Sequence, residues 1–148
     1  MSISHEQIDD YLTRYAATMT DLDAESAADL WTTPGLIADD RFSGVLESRE
    51  AMVQGLKQSY PLYQKLGLHS VGYELLDQNH LTGLLVLIRV RWEFFDAAGE
   101  LLTDSTAYYL LRSEEAGLRA TVCVQTDDAE RLQALATSRG IELTPPSE

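Results

Sequence analysis

Cysteine is almost absent from this sequence, since Cys123 is the only one among 148 residues. A single cysteine cannot form an internal disulfide, and such usage is typical of proteins from a reducing compartment. Cys123 lies in an apolar segment, where a small buried side chain is a simpler interpretation than a nucleophile. The first residues also lack the basic and apolar regions of a signal peptide. These features predict a cytoplasmic protein.

Basic residues and long apolar runs are scarce as well. Lys and Arg number 11 against 24 Asp and Glu, which gives a formal net charge of −13. An acidic chain repels the phosphates of nucleic acids and of anionic lipids, so we expect neither nucleic acid nor membrane as a partner. The longest apolar run, Leu84–Ile88, is too short to span a bilayer.

Sequence signatures of metal and cofactor sites are missing. The three histidines are scattered and do not form a spaced metal cluster with the cysteine. The sequence contains no glycine-rich phosphate loop, dinucleotide fingerprint or nucleophile elbow. We therefore expect no metal and no organic cofactor.

What is present begins with helical patterns. Ser4 and Gln7 fit a capping box that opens an amphipathic helix over roughly residues 5–20. Asp23 can cap a second, shorter helix that carries Trp31 and ends before the Pro-Gly pair that follows. A short apolar strand comes next and ends in two aspartates.

A third helix is predicted after Ser48, which is a good N-cap. Pro61 lies inside its apolar stripe, so we expect a kink or break near Tyr60. Gly67 marks its C-terminal end. The stripe consists of Met52, Val53, Leu56, Tyr60 and Tyr63.

Residues 68–126 change to the two-residue period of strands. The clearest is Leu81–Phe95, whose apolar residues from Val86 to Phe94 alternate with polar ones. Helices followed by a meander predict an α+β domain in which a strongly curved antiparallel sheet packs on three helices around a cone-shaped pocket. We expect one domain over residues 1–148, with a core at about 4–126, a C-terminal helix at about 128–139 and a loose tail at 141–148.

This order of elements resembles the nuclear-transport-factor-2-like (SnoaL-like, cystatin-like) superfamily. The resemblance spans roughly residues 4–126 and includes the strand run LLVLIRVRWEFFDAAGEL followed by STAYYLLRSEEAGLRATV. It implies three N-terminal helices wrapped by a bent sheet. Members include isomerases, dehydratases, cyclases, epoxide hydrolases and plain binding proteins. The C-terminal helix departs from the minimal pattern and could cover the pocket mouth or a subunit contact.

Within the superfamily, the segment TRYAATMTDLDAESAADLWTTPGLIADD looks like the start of ketosteroid isomerase. The resemblance implies that Tyr15 is the oxyanion-hole tyrosine and Asp39 the general base. That enzyme's third element is a protonated carboxylic acid, and here Tyr108 or Tyr109 falls near its position. A tyrosine could also donate a hydrogen bond there, although the departure leaves the reaction open.

The residues themselves allow simpler interpretations. Asp39 or Asp40 at a pocket wall could shuttle protons, or both could lie in water and hydrogen-bond the next turn. Neighbouring strand residues point oppositely, so at most one of the two faces the pocket. Tyr15 could be a core residue whose hydroxyl has a hydrogen-bond partner. Tyr11, one helical turn earlier, is the competing candidate for the pocket tyrosine. His69 could shuttle protons or have no role.

The leading hypothesis is a protein that binds a small, mostly apolar and carbonyl-bearing molecule, with acid–base chemistry by Asp39 and Tyr15. The alternatives are a binding or sensing domain without catalysis, and an interaction module whose pocket is filled by its own side chains. We expect a homodimer through the outer sheet face, where Arg89 and Arg91 lie, although that face could also be solvated. The candidate ligand-binding residues are Tyr11, Trp31, Asp40, Tyr60, His69, Trp92, Tyr108 and Tyr109.

Overall fold

A computed structural model describes residues 3–140 of the chain. Its elements run in the order α1 (His5–Asp21), α2 (Ala24–Ala28), β1 (Trp31–Ala38), β2 (Ser43–Leu46), α3 (Arg49–Lys57), α4 (Tyr60–Leu66), β3 (Ser70–His80), β4 (Leu85–Phe95), β5 (Leu101–Glu114), β6 (Gly117–Gln125) and α5 (Asp128–Ser138). No helix within this range is long and apolar enough to cross a bilayer. The predicted tail at 141–148 lies outside the described residues.

The six strands form one curved sheet in the order β2-β1-β6-β5-β4-β3. β1 and β6 run parallel, and the other neighbours are antiparallel. The last strand, β6, pairs with β1 and so joins the meander β3–β6 to the N-terminal hairpin β1–β2. This arrangement confirms the predicted α+β class, and the single parallel pair is a detail that the strand periodicity did not indicate.

Four helices, rather than the predicted three, precede β3. The third predicted helix is divided into α3 and α4, and Pro61 stands in the first turn of α4. Proline is tolerated in a first turn because its missing N–H has no partner there in any case. The expected break near Tyr60 is therefore confirmed, and it separates two helices.

The second predicted helix is shorter than expected, because α2 ends at Ala28 and Trp31 opens β1. Pro34 lies inside β1 instead of ending a helix. It falls in the interruption of the β1–β6 ladder between Trp31 and Leu36, and before the pairing with β2 begins at Gly35. Proline lacks a ladder donor, so a strand accepts it where the ladder is interrupted.

The core lies between the inner sheet face and α1. Val86, Ile88, Val90, Trp92 and Phe94 are all buried on β4, which confirms the predicted alternation. A smaller apolar cluster joins α5 to α4 and is formed by Leu66, Leu132, Leu135 and Ala136. α5 thus supports the helix that carries Tyr60 and Tyr63.

Candidate functional site

A cavity of about 290 Å³ lies between the inner sheet face and helices α1 to α4. This volume is at the lower end of the roughly 300–1,000 Å³ typical of small-molecule sites. None of the described residues that line it is Asp, Glu, His, Lys or Arg. They are Tyr15, Met19, Ala27, Trp31, Ile37, Phe42, Gly44, Leu46, Gly55, Leu56, Gln58, Ser59, Tyr60, Tyr63, Trp92, Phe94, Ser105, Thr106, Ala107, Tyr109, Cys123 and Gln125.

One wall carries Tyr15 from α1 and Trp31 from β1. The helical stripe of α1 turns Tyr15 inward, where the residue is 5% exposed. The indole Nε1–H of Trp31 donates a hydrogen bond to the Tyr15 hydroxyl oxygen over 3.0 Å. Both side chains are therefore fixed by a contact between two elements that are distant in sequence.

The adjoining part of the wall repeats this arrangement with Trp92 and Tyr109. The two residues lie on the inner faces of β4 and β5, and Trp92 Nε1–H donates to the Tyr109 hydroxyl over 3.1 Å. The Tyr15 ring centroid lies 5.4 Å from that of Trp92 and 5.8 Å from that of Tyr109. We call Tyr15, Trp31, Trp92 and Tyr109 the four-ring cluster.

Burial determines the protonation of the two tyrosines. Desolvation, followed by the neighbouring Cys123, raises the pKa of Tyr15 above its ordinary value. The same two causes raise the pKa of Tyr109 well above its ordinary value. The hydroxyls of both residues therefore keep their protons at neutral pH and act as hydrogen-bond donors.

The four-ring cluster has more donors than it can use internally. Its two indole N–H and two hydroxyl groups supply four polar hydrogens, whereas only the two tyrosine oxygens accept. Two hydrogens are used by the indole-to-tyrosine bonds. At most one more can pass between the hydroxyls of Tyr15 and Tyr109, whose rings are neighbours. At least one hydroxyl proton is therefore left for an acceptor outside the cluster.

The predicted base, Asp39, is held in a local turn. Its Oδ1 accepts from the backbone amides of Arg41 over 2.8 Å and Phe42 over 3.1 Å. Asp40 is exposed, and neither aspartate lines the cavity. The structure thus does not bring Asp39 together with Tyr15. β1 ends at Ala38, and the Asp39 carboxylate binds the amides of the next turn, which is the simpler of the two interpretations that the sequence allowed.

Three other candidates also lie away from the cavity. Tyr11 is buried, and its hydroxyl donates to the Leu30 carbonyl over 2.8 Å. His69 is exposed before β3. Tyr108 lies on the outer sheet face with the Arg89 guanidinium 5.8 Å from its ring centroid, because adjacent strand residues point to opposite faces. The candidates that do line the cavity are Tyr15, Trp31, Tyr60, Trp92 and Tyr109.

Sequence reasoning missed the polar residues of the wall, above all Ser105 and Gln125. Ser105 alternates with Ala107 and Tyr109 on the inner face of β5, and it lies opposite Trp92 in the ladder with β4. Its period-two spacing from Tyr109 was a usable signal. A serine in a strand does not by itself indicate a binding site, so this spacing did not predict a role for Ser105.

Helices wrapped by a bent sheet that leaves a cavity define the NTF2-like class of α+β proteins. Residues 4–128 match the family model described as NTF2-like protein (DUF6841), and the chain belongs to that family. The predicted superfamily is therefore confirmed. No curated protein matches the sequence.

Several solved structures share the fold. A cystatin-like domain of unknown function from Nostoc punctiforme has a TM-score of 0.66 at 14% identity, with 95% of this chain and 90% of that chain covered. An NTF2-like protein with a cystatin-like fold from Novosphingobium aromaticivorans has a TM-score of 0.62 at 21% identity, with 94% and 88% covered. A ketosteroid isomerase-like protein from Erwinia carotovora atroseptica has a TM-score of 0.61 at 14% identity, with 84% and 97% covered. At these identities the likeness shows the fold alone.

Proposed function

We propose that the protein binds a small, neutral, mostly apolar molecule with a carbonyl oxygen, and that it binds this molecule without acid–base turnover. The observation that carries the proposal is the spare hydroxyl proton of the four-ring cluster, whose four residues line a cavity with uncharged described walls. A carbonyl oxygen is a good acceptor for that proton. The Cys123 sulfur, also on the wall, is only a weak one.

Turnover of the isomerase type needs a base with a pKa near the working pH. The titratable groups on this wall are tyrosines and the Cys123 thiol, and burial keeps the hydroxyls of Tyr15 and Tyr109 protonated. These groups suit hydrogen-bond donation better than proton abstraction. The Asp39 carboxylate, the base that the sequence suggested, is already bound by its own turn.

A matched pair of probes and a matched pair of variants test the binding proposal. Isothermal titration calorimetry should detect binding of methyl β-naphthyl ketone. β-Ethylnaphthalene, which lacks the oxygen, should bind more weakly. Tyr109→Phe should weaken ketone binding about two- to tenfold, because a hydrogen bond contributes roughly 0.5–1.5 kcal/mol.

Tyr11→Phe is the control, since it also removes a buried hydroxyl but lies outside the cavity. It should leave ketone affinity unchanged. Equal binding of the two probes, or equal losses in the two variants, would refute the recognition of a carbonyl.

We also propose that the protein forms a homodimer through its outer sheet face. Strand register supports this, because one apolar row crosses five strands there and Val45 at its end is 59% exposed. The other members of the row are Leu36, Val122, Leu110 and Leu87. Light scattering should report twice the chain mass for the wild type and the chain mass for Leu110→Lys. A monomeric wild type would refute the dimer.

The cytoplasmic location stays a prediction.

A further inference from the structure

We infer that the cavity has a second polar subsite at Ser105 and Gln125, and that its ligand carries a hydroxyl group at the end opposite the carbonyl. This inference rests on the proposed binding function and narrows the class of ligand. The molecule would be a flat, apolar-bodied hydroxy ketone, held at one end by the tyrosine pair and at the other by Ser105.

Ser105 is a buried polar residue whose hydroxyl has no hydrogen-bond partner among the described side chains. The residue is 4% exposed and lines the cavity. Among the side chains that the structure describes, those of residues 3–127 and 130–140, none forms a hydrogen bond with this hydroxyl, although nearly all buried polar groups in proteins make one. Within the same residues every side-chain oxygen that is fully closed off from solvent has a partner, so the Ser105 oxygen must open toward the cavity. A ligand group would satisfy it.

Gln125 lies beside Ser105 on the neighbouring strand. Gln125 pairs with Ala107, two residues from Ser105 on the same inner face of β5, so the two polar side chains are diagonal neighbours. The Gln125 side chain is half-buried, lines the cavity and has no hydrogen bond to a described residue. Two adjacent, unused polar groups therefore mark one part of the wall.

The tyrosine pair lies at the other end of the same wall. Ser105 and Tyr109 are four residues apart on β5, which corresponds to about 14 Å between their Cα atoms at roughly 3.4 Å per residue. Trp92 connects the two positions, because it lies opposite Ser105 in the ladder while its indole N–H bonds the Tyr109 hydroxyl. An apolar aromatic surface thus separates two polar ends.

The chemistry of the second end favours a hydroxyl group on the ligand. Ser105 and Gln125 each offer both a donor and an acceptor, and a ligand hydroxyl can both donate and accept. A carboxylate would be buried without a cation, since the described wall contains no Lys or Arg. The favoured ligand is therefore neutral at both ends.

The test compares methyl β-naphthyl ketone with the same ketone that carries a hydroxyl group on its far ring. In the wild type the added hydroxyl should tighten binding about two- to tenfold by titration calorimetry. Ser105→Ala should abolish that gain, so that this variant binds the two ketones with equal affinity. Ser113→Ala, the same change farther along β5 and outside the cavity, should keep the gain.

The outcomes separate this inference from the proposed function. A hydroxyl gain that persists in Ser105→Ala, or that is missing from the wild type, would overturn the second subsite while ketone binding still supported the first proposal. If neither ketone binds to the wild type, both proposals are wrong. Thermal melts of each variant check that it is folded before titration.

Discussion

Tyr15 and Asp39 are predicted to face each other across one site, but in the structure Tyr15 lines the cavity and Asp39 does not. The Tyr15 hydroxyl accepts a hydrogen bond from Trp31 on β1, and its ring packs against Trp92 and Tyr109 on β4 and β5. The Asp39 carboxylate is bonded by the amides of Arg41 and Phe42, two and three residues away. A polar group held by distant elements lies where those elements meet, which is the cavity. A carboxylate held by its own turn stays with that turn.

The largest expected difference between the two regions is in stability. Trp31→Ala should lower the free energy of unfolding by about 3–5 kcal/mol, because it empties a fully buried aromatic position beside the cavity. Phe42→Ala in the hairpin turn is the matched change, and Phe42 is 60% exposed. It should cost less than about 1 kcal/mol, the usual range for a surface residue. Urea unfolding of both variants would measure the two values. Similar losses of unfolding free energy would contradict the difference between the cavity wall and the hairpin turn.

A smaller effect should appear at high pH. Burial raises the pKa of Tyr11, Tyr15 and Tyr109 in the folded state, so above about pH 10 the unfolded chain loses their protons first. Stability is then fully present below pH 10 and falls above it by up to about 1.4 kcal/mol per pH unit for each tyrosine.

Unfolding measured across that range should therefore decline less steeply for Tyr11→Phe than for the wild type. Tyr108→Phe on the outer face controls for the general effect of alkaline pH on an acidic chain. Equal slopes for the wild type and Tyr11→Phe would show that this buried hydroxyl does not contribute.

The smallest expected effect belongs to Asp39→Asn. Asparagine keeps the side-chain oxygen that accepts from the turn amides, so stability should change by less than about 1 kcal/mol. Affinity for methyl β-naphthyl ketone should stay the same, because Asp39 does not line the cavity. A loss of binding or of a measurable turnover in this variant would return Asp39 to the site and end the contrast with Tyr15.

Much of the wall could be predicted from periodicity. The inward turn of Tyr15 follows from its place on the apolar stripe of α1, and that of Trp92 from the alternation on β4. The choice between Tyr108 and Tyr109 could not be made, because either register of β5 leaves one tyrosine inside. Ladder pairing decides it in favour of Tyr109, which lies opposite the buried residues Ile88 on β4 and Cys123 on β6.

The amino-acid pattern by itself determined the class of fold, the acidic character of the chain and the apolar faces of its helices and strands, because these depend on spacing along the chain. Only the tertiary structure decided which polar groups share the cavity. Hydrogen bonds decide three features of the site. They are the donor pairs of the four-ring cluster, the unused hydroxyl of Ser105 and the binding of the Asp39 carboxylate by its own turn. Such bonds form only after distant segments have packed, or after a turn has closed, and neither event has a signature in hydrophobic spacing.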